Sequence, residues 1–171
     1  PEQKILRNQI TTTLTTLFER YGFVPLETPI LERYDTLASK YAGGAEILKE
    51  TFTLKDQGQR ELGLRYDLTV PLARYIAMNP NIRLPFKRYQ LGEVFRDGPL
   101  KKGRYRSFTQ IDIDTIGAPT IRAEAELLLL AQDIFTALGL NATIRVNNRK
   151  IIDAIIATAG IPPDQSETIM L

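Results

Sequence analysis

The sequence predicts an α+β fold in which helices flank an antiparallel sheet. Two long stretches, one before Gly22 and one after Thr120, repeat apolar residues at helical spacing. Between them, residues 86–116 contain two runs of strand-forming residues around a segment rich in Gly, Pro and Lys, which is typical of a hairpin. A chain of 171 residues is long enough to bury the core that this arrangement requires.

The composition narrows the possible chemistry. Hydrophobic residues make up 43% and charged residues 25% of the chain, as in ordinary globular proteins, and a net charge of +2 is too small to indicate nucleic-acid binding by itself. The absence of Cys and His excludes disulfides, thiolate chemistry, an imidazole base and a His-ligated metal. No stretch resembles a signal peptide or a bilayer-spanning segment, so we expect a cytoplasmic location without membrane contact.

The two long helices are predicted from the spacing of their apolar side chains. The first ends at Gly22, and the second begins at a Thr120 cap and ends at Gly139. Four consecutive leucines at 127–130 predict that the second helix is buried on more than one side. The apolar positions are Leu6, Ile10, Leu14, Leu17, Phe18 and Tyr21 in the first helix, and Leu127, Leu130, Ala131, Ile134 and Leu138 in the second.

The other elements are shorter and are predicted from turn residues and alternation. They are extended pieces at 23–26 and 29–31, a helix at 34–42 before Gly43-Gly44, a hairpin of 50–55 and 61–64 around Asp56–Gln59, a strand at 142–146, and a helix at 149–159 that Asn147 or Asn148 caps.

One more helix is predicted to start at Thr69 and to run to about Met78. Thr69 is a good N-cap, and Pro71 falls within the first turn. For Asp67 and Thr69, helix capping and ligand binding therefore both remain open. The two roles are compatible, because polar groups converge where a strand ends and a helix begins.

The central hairpin carries the most distinctive pattern. Its strands are predicted at Lys87–Arg96 and Arg104–Ile116, joined by the turn segment Asp97–Gly103. Alternate side chains of a strand share a face, so one face of the second strand is charged while the other is isoleucine-rich. The charged face suits a ligand that is anionic at one end and cationic at the other, although a surface hairpin with a basic tip remains an alternative. The charged face consists of Arg106, Phe108, Gln110, Asp112 and Asp114.

Three strings resemble the class II aminoacyl-tRNA synthetases, in the form found in the histidyl-tRNA synthetase family. GEVFRDGPLKKGRYRSFTQIDID resembles motif 2, YGFVPLETPILE resembles motif 1, and RYDLTVP resembles the stretch that binds the amino acid. The resemblance implies that residues 1–171 are the front part of a class II catalytic domain, incomplete at the C-terminal end and without motif 3 or an anticodon-binding domain. It places motif 1 at about 18–33, the histidine-binding stretch at 64–75 and motif 2 at about 86–116.

The resemblance also implies roles for residues at the nucleotide end of the site. Arg96 matches the catalytic arginine, which bridges the α-phosphate of ATP and the carboxylate of the amino acid. Arg104 matches an arginine that reaches the outer phosphates, and Phe108 matches the aromatic residue on which adenine stacks. Arginine suits the two anions, since its planar guanidinium stays charged and binds either one in a bidentate manner. The implied cofactors are ATP and Mg²⁺, and no residue of this chain is expected to ligate a metal.

At the amino-acid end, the resemblance implies that Asp67 and Thr69 hold the α-amino group of histidine, and Gln110 could supply a further acceptor for this ammonium group. Asp114 resembles the acidic residue that reads the imidazole or lies near it in the family. The implied activity is histidine-specific tRNA ligation through a histidyl-adenylate. The implied partners are histidine, ATP, tRNA(His) and a second copy of the chain, joined through the motif 1 region around Pro29.

Two features depart from the family pattern. Gly98 stands where the family usually has a glutamate that contacts the adenine amino group, and Ser107 stands where an acid is common. Because motif 3 and a second catalytic arginine are not in these residues, we expect this chain alone not to complete adenylation. Two other functions remain open: a non-catalytic regulatory subunit of ATP phosphoribosyltransferase, which shares the fold and senses histidine, and a binding module whose basic loop contacts the tRNA acceptor end.

Overall fold

The computed structural model describes residues 1–39, 48–99 and 101–160. No helix in these ranges is both long enough and apolar enough to cross a membrane. The helices are α1 (Glu2–Arg20), α2 (Tyr34–Ser39), α3 (Thr69–Met78), α4 (Ile121–Ala137) and α5 (Arg149–Thr158). The strands are β1 (Val24–Pro25), β2 (Leu31–Arg33), β3 (Thr53–Lys55), β4 (Glu61–Leu64), β5 (Phe86–Phe95) and β6 (Ser107–Ile116).

The central hairpin predicted from the sequence is confirmed. Strands β5 and β6 pair antiparallel along their whole length, from Phe86 opposite Ile116 to Phe95 opposite Ser107. Strand β1 adds to the outer edge of β5 in the parallel direction, so this sheet has the order β1-β5-β6 and is antiparallel except for that two-residue edge. The long, regular pairing fixes which side chains of the two strands lie together.

The second predicted hairpin is also confirmed, within an antiparallel sheet of order β2-β4-β3. Its turn is stabilised by Asp56, whose carboxylate Oδ1 accepts the backbone N–H of Arg60 at 2.9 Å. The main chain then leaves β4 toward the central sheet, where the backbone N–H of Phe95 donates to the carbonyl of Arg65 at 3.0 Å.

The main core lies between the central sheet and the two long helices. Phe18 of α1 packs its ring 5.2 Å from that of Tyr89 on β5, and Leu130 of α4 is completely buried beside them. Burying these side chains is the main favourable term for the fold. Because α1 and α4 cover the face that carries Tyr89 and Ile113, the predicted site residues on the opposite face are kept clear of these two helices.

The two long helices are less fully buried than the sequence predicts. In α4, Leu128 and Leu129 are 37% and 56% exposed, so the prediction of burial on more than one side is wrong for the chain that the structure describes. Leu6 and Ile10 of α1 are exposed as well. In both helices the buried stripe is the one that packs against β5, β6 and the other long helix.

The C-terminal part of the described chain gives one correction and one refinement. Residues 142–146 are exposed and form no strand, because no described strand lies beside them to complete a ladder. Asn148 rather than Asn147 caps α5, and its side chain accepts the backbone N–H of Lys150 at 2.9 Å. The predicted helix at 34–42 is present as α2 up to Ser39, and the rest of that prediction, with Gly43-Gly44, lies outside the described residues.

Candidate functional site

The face of the hairpin opposite the helices carries the predicted site residues in cross-strand pairs. Asp114 lies opposite Arg88, Gln110 lies opposite Gly92, and Phe108 lies opposite Val94. Side chains of directly paired residues project on the same side of a sheet. The register therefore places polar groups of β5 and β6 side by side, which a reading of each strand alone does not reveal.

A cavity of about 490 Å³ opens at the end of this face, beside the loop that joins β5 to β6. The three residues predicted to bind ATP, Arg96, Arg104 and Phe108, all line it. The remaining lining residues are Glu50, Tyr66, Gly98, Pro99, Gly103 and Tyr105. Two guanidinium groups and several aromatic rings around one cavity suit a ligand that combines phosphates with a flat base.

Arg96 is held between two aromatic rings. Its guanidinium carbon lies 4.4 Å from the ring centre of Tyr66 and 5.0 Å from that of Phe108. Its Nε also donates to the backbone carbonyl of Tyr66 at 3.4 Å. Cation–π contacts of this kind fix the position of a guanidinium while leaving its N–H groups available for an anion. The positive charge is therefore in place before a ligand arrives.

The segment Arg65–Leu68 crosses the site face and is anchored by a buried arginine. Arg65 Nε donates to the carbonyl of Glu93 at 2.8 Å, and its Nη1 donates to the carbonyl of Thr28 at 2.6 Å. Burial lowers the pKa of Arg65 from its ordinary value. A side chain at Gly92 would collide with the Arg65 guanidinium, so only glycine fits where this segment crosses β5.

Helix α3 is capped by Asp67 and not by Thr69. The Asp67 Oδ1 atom accepts the backbone N–H groups of Thr69 at 3.1 Å and Val70 at 3.0 Å, while Leu68 occupies the N-cap position. The predicted Thr69 cap is therefore wrong, because a carboxylate two residues upstream reaches the first free N–H groups. The same bonds fix the orientation of Asp67, which directly follows the cavity residue Tyr66.

The acidic end of the site face is a connected polar group on β6 and β5. Gln110 Nε2 donates to Asp112 Oδ1 at 2.9 Å, and Asp114 Oδ2 lies 2.6 Å from Arg88 Nη2. Burial raises the pKa of Asp114; the positive charge of Arg88 opposes this rise and the negative charge of Asp112 adds to it. Arg88 is 0% exposed, and burial lowers its pKa.

The structure brings the residues predicted for ATP to one cavity and leaves those predicted for the amino-acid end outside it. Arg96, Arg104 and Phe108 share the cavity, whereas the residues predicted for the amino-acid end, Asp67, Thr69, Gln110 and Asp114, do not line it. The Arg65–Leu68 segment links the two groups: Tyr66 supplies the carbonyl for Arg96, and the carbonyl of Leu68 accepts from Arg88 Nη2 in a long contact of 3.5 Å.

Sequence reasoning missed several residues of the site. Arg88 could have been found by laying β5 against β6, since it falls directly opposite Asp114. Glu50 could not have been found from the sequence, because it lies far from Asp97 along the chain. Its backbone carbonyl nevertheless accepts the N–H of Asp97 at 2.7 Å. The Glu50 carboxylate also lies against Gly98, 3.0 Å from where a Cβ atom would be. Among the described residues, no group of three or more His, Cys, Asp or Glu side chains is arranged to hold a metal ion.

A sequence model for the family described as histidyl-tRNA synthetase matches residues 1–171. The chain belongs to the histidyl-tRNA synthetase family. Histidine–tRNA ligase 1 of Bacillus cereus is 53% identical over 171 residues, which are all of this chain and 40% of the relative. The chain thus spans about 40% of the length of the curated relatives it matches.

Solved structures agree with this membership of the histidyl-tRNA synthetase family. The crystal structure of histidyl-tRNA synthetase from a Nostoc species superposes with a TM-score of 0.84 at 33% identity, covering 99% of this chain and 40% of that one. A structure from Bacillus halodurans, titled an ATP phosphoribosyltransferase regulatory subunit/histidyl-tRNA synthetase, gives a TM-score of 0.72 at 27% identity, covering 82% of this chain and 36% of that one. The higher identity to a ligase, over the whole chain, does not favour the regulatory alternative.

Proposed function

We propose that the protein is a histidine–tRNA ligase, which activates histidine with ATP and transfers it to tRNA(His) in the cytoplasm. The observation that carries this proposal is the shared cavity of Arg96, Arg104 and Phe108, beside a segment that leads directly into Asp67. In this proposal, cationic and aromatic groups form one end of the site, and carboxylate and amide groups form the other. A zwitterionic amino acid and a nucleotide need this division of charge.

In the proposed first step, a carboxylate oxygen of histidine attacks the α-phosphorus of ATP. A P–O bond forms at that atom, and the bond to the bridging oxygen of the β-phosphate breaks, so pyrophosphate leaves with the electron pair. Two anions must approach each other, and the site must therefore supply fixed positive charge. We assign Arg96 to both the α-phosphate and the histidine carboxylate. We assign Arg104 to the outer phosphates, and Phe108 to the adenine ring.

The amino-acid end is assigned to acceptors of the histidine ammonium and imidazole groups. Asp67, Thr69 and Gln110 are proposed to bind the ammonium group, and Asp114 to accept an imidazole N–H. Little proton transfer is needed, because the attacking carboxylate is already ionised. The rate enhancement would come from positioning and electrostatic stabilisation.

Mg²⁺ is proposed to enter with ATP. This ion keeps much of its hydration shell and is commonly held by substrate phosphates plus one or two carboxylates. Bound there, it would neutralise part of the charge that pyrophosphate carries away. Arg96 and Arg104, the two guanidinium groups that line the cavity, would bind the phosphates of ATP.

Pyrophosphate exchange tests the proposed activity. The full-length protein, supplied with ATP, Mg²⁺ and labelled pyrophosphate, should form labelled ATP when histidine is present and not with the other common amino acids. A protein that binds histidine with ordinary affinity but never exchanges pyrophosphate would contradict the ligase proposal and agree with a regulatory subunit. Charging of tRNA(His) by the same preparation tests the transfer step separately.

The basic loop between β5 and β6 is proposed to contact the tRNA acceptor end. Lys101 and Lys102 are exposed there, and the backbone N–H of Arg104 donates to the carbonyl of Lys101 at 2.9 Å, which shapes the loop tip. Replacing Lys101 and Lys102 with alanine should weaken tRNA binding and reduce its dependence on salt, because phosphate contacts release counterions. Unchanged charging at all salt concentrations would contradict this role.

We also propose self-association through the region around Pro29. Ile30 and Leu31 beside it are 45% and 43% exposed, which leaves apolar surface on an edge strand. Leu31→Asp should therefore shift the full-length protein from dimer to monomer in analytical ultracentrifugation. A wild-type protein that sediments as a monomer at all concentrations would remove this proposal.

A further inference from the structure

Arg88 is the most deeply buried charge in the part of the chain that the structure describes, and it is poorly satisfied. It is 0% exposed in the middle of the central sheet, and its ion pair with Asp114, at 2.6 Å, is its one short polar contact there. Its Nη2 reaches the Leu68 carbonyl only at 3.5 Å. Its Nε and Nη1 atoms are buried and find no hydrogen-bond partner among the described residues.

This arrangement does not account for Arg88 as a stabilising residue. Burying an ion pair costs solvation of both charges, and well-packed apolar side chains often replace such a pair without loss of stability. Unpaired buried N–H groups add to the cost. The same face of this strand also buries an apolar side chain, Val94, six residues further along, so it does not require a charge for packing. Stability therefore does not explain the charge of Arg88, and its short ion pair points to an effect on Asp114.

One carboxylate oxygen of Asp114 is buried, while another part of its side chain is accessible to solvent. Its Oδ2 atom, which faces Arg88, is buried, whereas the side chain as a whole is 35% exposed. Asp112, two residues along the same strand face, contributes a second negative charge nearby. Partial burial and a nearby negative charge both disfavour the charged form of a carboxylate. A cation that binds one of its oxygens keeps the carboxylate charged and in one orientation.

We propose that Arg88 is a positioning residue for the amino-acid end of the site, where it binds Oδ2 of Asp114 and leaves Oδ1 directed to accept the imidazole N–H of histidine. This inference rests on the proposed function, since it assumes that Asp114 reads the histidine side chain. Arg88 itself does not touch the substrate. It acts by fixing the carboxylate that does.

Arg88→Met in the full-length protein tests the inference, with Lys87→Met as the matched control. Lys87 is the next residue of β5 but lies on the helix-covered face, where its Nζ pairs with Glu126 at 2.8 Å. Both changes remove a buried or half-buried cation from the same strand. Arg88→Met should raise the Kd for histidine about tenfold or more, because Asp114 would lose its charge-assisted contact with the substrate. The Kd for ATP should stay within about twofold of the wild-type value. Lys87→Met should change neither Kd.

A double-mutant cycle separates positioning from a merely structural role. If Arg88 acts through Asp114, then Arg88→Met should weaken histidine binding little further in the Asp114→Asn background. Arg88→Lys, which keeps a cation within reach of Asp114 and can be measured even if the methionine variant does not fold, should bind histidine with an intermediate Kd. The inference would be overturned if the two substitutions raised the histidine Kd by factors that multiply in the double mutant. It would also be overturned if Arg88→Met weakened the binding of histidine and of ATP equally. A third contradicting result is a wild-type histidine Kd in both the lysine and the methionine variants.

The outcomes also distinguish this inference from the proposed function. A wild-type protein without histidine-dependent pyrophosphate exchange contradicts the ligase proposal, whatever Arg88 does. Normal exchange in the wild type, together with an unchanged histidine Kd in Arg88→Met, contradicts only the role given to Arg88.

Discussion

Arg96 lies over the ring of Phe108, with its guanidinium carbon 5.0 Å from the ring centre. The cation proposed for the phosphates and the ring proposed for adenine are thus in contact before any nucleotide is bound. A base that stacks on Phe108 would lie next to the charge that receives its own phosphate chain. The contact therefore sets the spacing between the cation proposed for the phosphates and the ring proposed for adenine.

Arg96→Ala should abolish the activation step while leaving the fold largely intact. Removing one preorganised donor to a developing charge typically costs about 100- to 1,000-fold in rate. The lost cation–π contacts should cost only about 1 kcal/mol of unfolding free energy. Pyrophosphate exchange and thermal unfolding of the same preparation measure the two effects. Arg96→Lys is the control: it keeps the charge but loses the planar fork, and its rate should fall between wild type and alanine.

Phe108→Leu should weaken ATP binding selectively. Stacking a base on an aromatic ring contributes about 1–3 kcal/mol, so the KM for ATP should rise by about tenfold or more. The KM for histidine should remain near the wild-type value, and Phe108→Tyr should behave like wild type because it keeps the ring. If leucine and tyrosine variants gave the same KM for ATP, the ring would not be the platform for the base.

Gly92→Ala should destabilise the protein by about 2–3 kcal/mol, as expected for overpacking against a fixed neighbour. The new methyl group would collide with the Arg65 guanidinium, which cannot move away without losing its bonds to the carbonyls of Glu93 and Thr28. Denaturant unfolding measures the loss.

Gly139→Ala provides the comparison for the Gly92 variant. Gly139 follows α4 with a φ of 66°, and no heavy atom of the described residues lies within 4 Å of the point where a Cβ atom would be. Alanine at this position therefore meets only backbone strain of about 1 kcal/mol. A Gly92 variant no less stable than the Gly139 variant would contradict the steric argument.

Thr109→Val should raise the pKa of Glu93 and weaken the acid dependence of stability. Hydrogen bonds from Thr109 and then Ser107, at 2.5 and 2.7 Å, hold the pKa of Glu93 below its ordinary value. A depressed carboxyl pKa contributes stability above the unfolded-state pKa, and that stability is lost as pH falls through the folded-state pKa. The variant should therefore lose about 1 kcal/mol at neutral pH and converge with wild type in acid.

Carboxyl NMR titration and unfolding at a series of pH values check the Thr109 prediction. Ser107→Ala removes the second bond to Glu93 and should shift the pKa in the same direction by a smaller amount. A constant stability difference between Thr109→Val and wild type, from neutral to acidic pH, would show that Glu93 is not involved.

Local sequence patterns were sufficient for the elements that depend on short-range physics. The two hairpins follow from turn residues between strand-forming runs, and glycine residues such as Gly22 and Gly139 mark helix ends with positive φ. The three predicted ATP-binding residues fall within one string, so correct placement of β5 and β6 was enough to bring them to one cavity.

Contacts between distant segments explain what the sequence did not predict. Burial of Leu128 and Leu129 in α4 depends on whether other elements pack against them. A strand at 142–146 depends on a neighbouring strand with which to pair. The local sequence pattern indicates neither of these contacts. The Thr69 cap failed for a different reason, since Asp67 competes for the same N–H groups. The Arg88–Asp114 pair could have been predicted, because the register of the predicted hairpin places these two residues opposite each other.

The guanidinium groups of Arg96 and Arg88 contact main-chain carbonyls that are only two residues apart, those of Tyr66 and Leu68, at 3.4 and 3.5 Å. An extra residue inserted between them would displace both cations at once. Nucleotide and amino-acid recognition would then fail together, whereas an equal insertion in the Asp56–Arg60 turn would spare both. A single short segment of backbone would thus hold the cation proposed for the nucleotide and the cation proposed to position Asp114 at a fixed spacing.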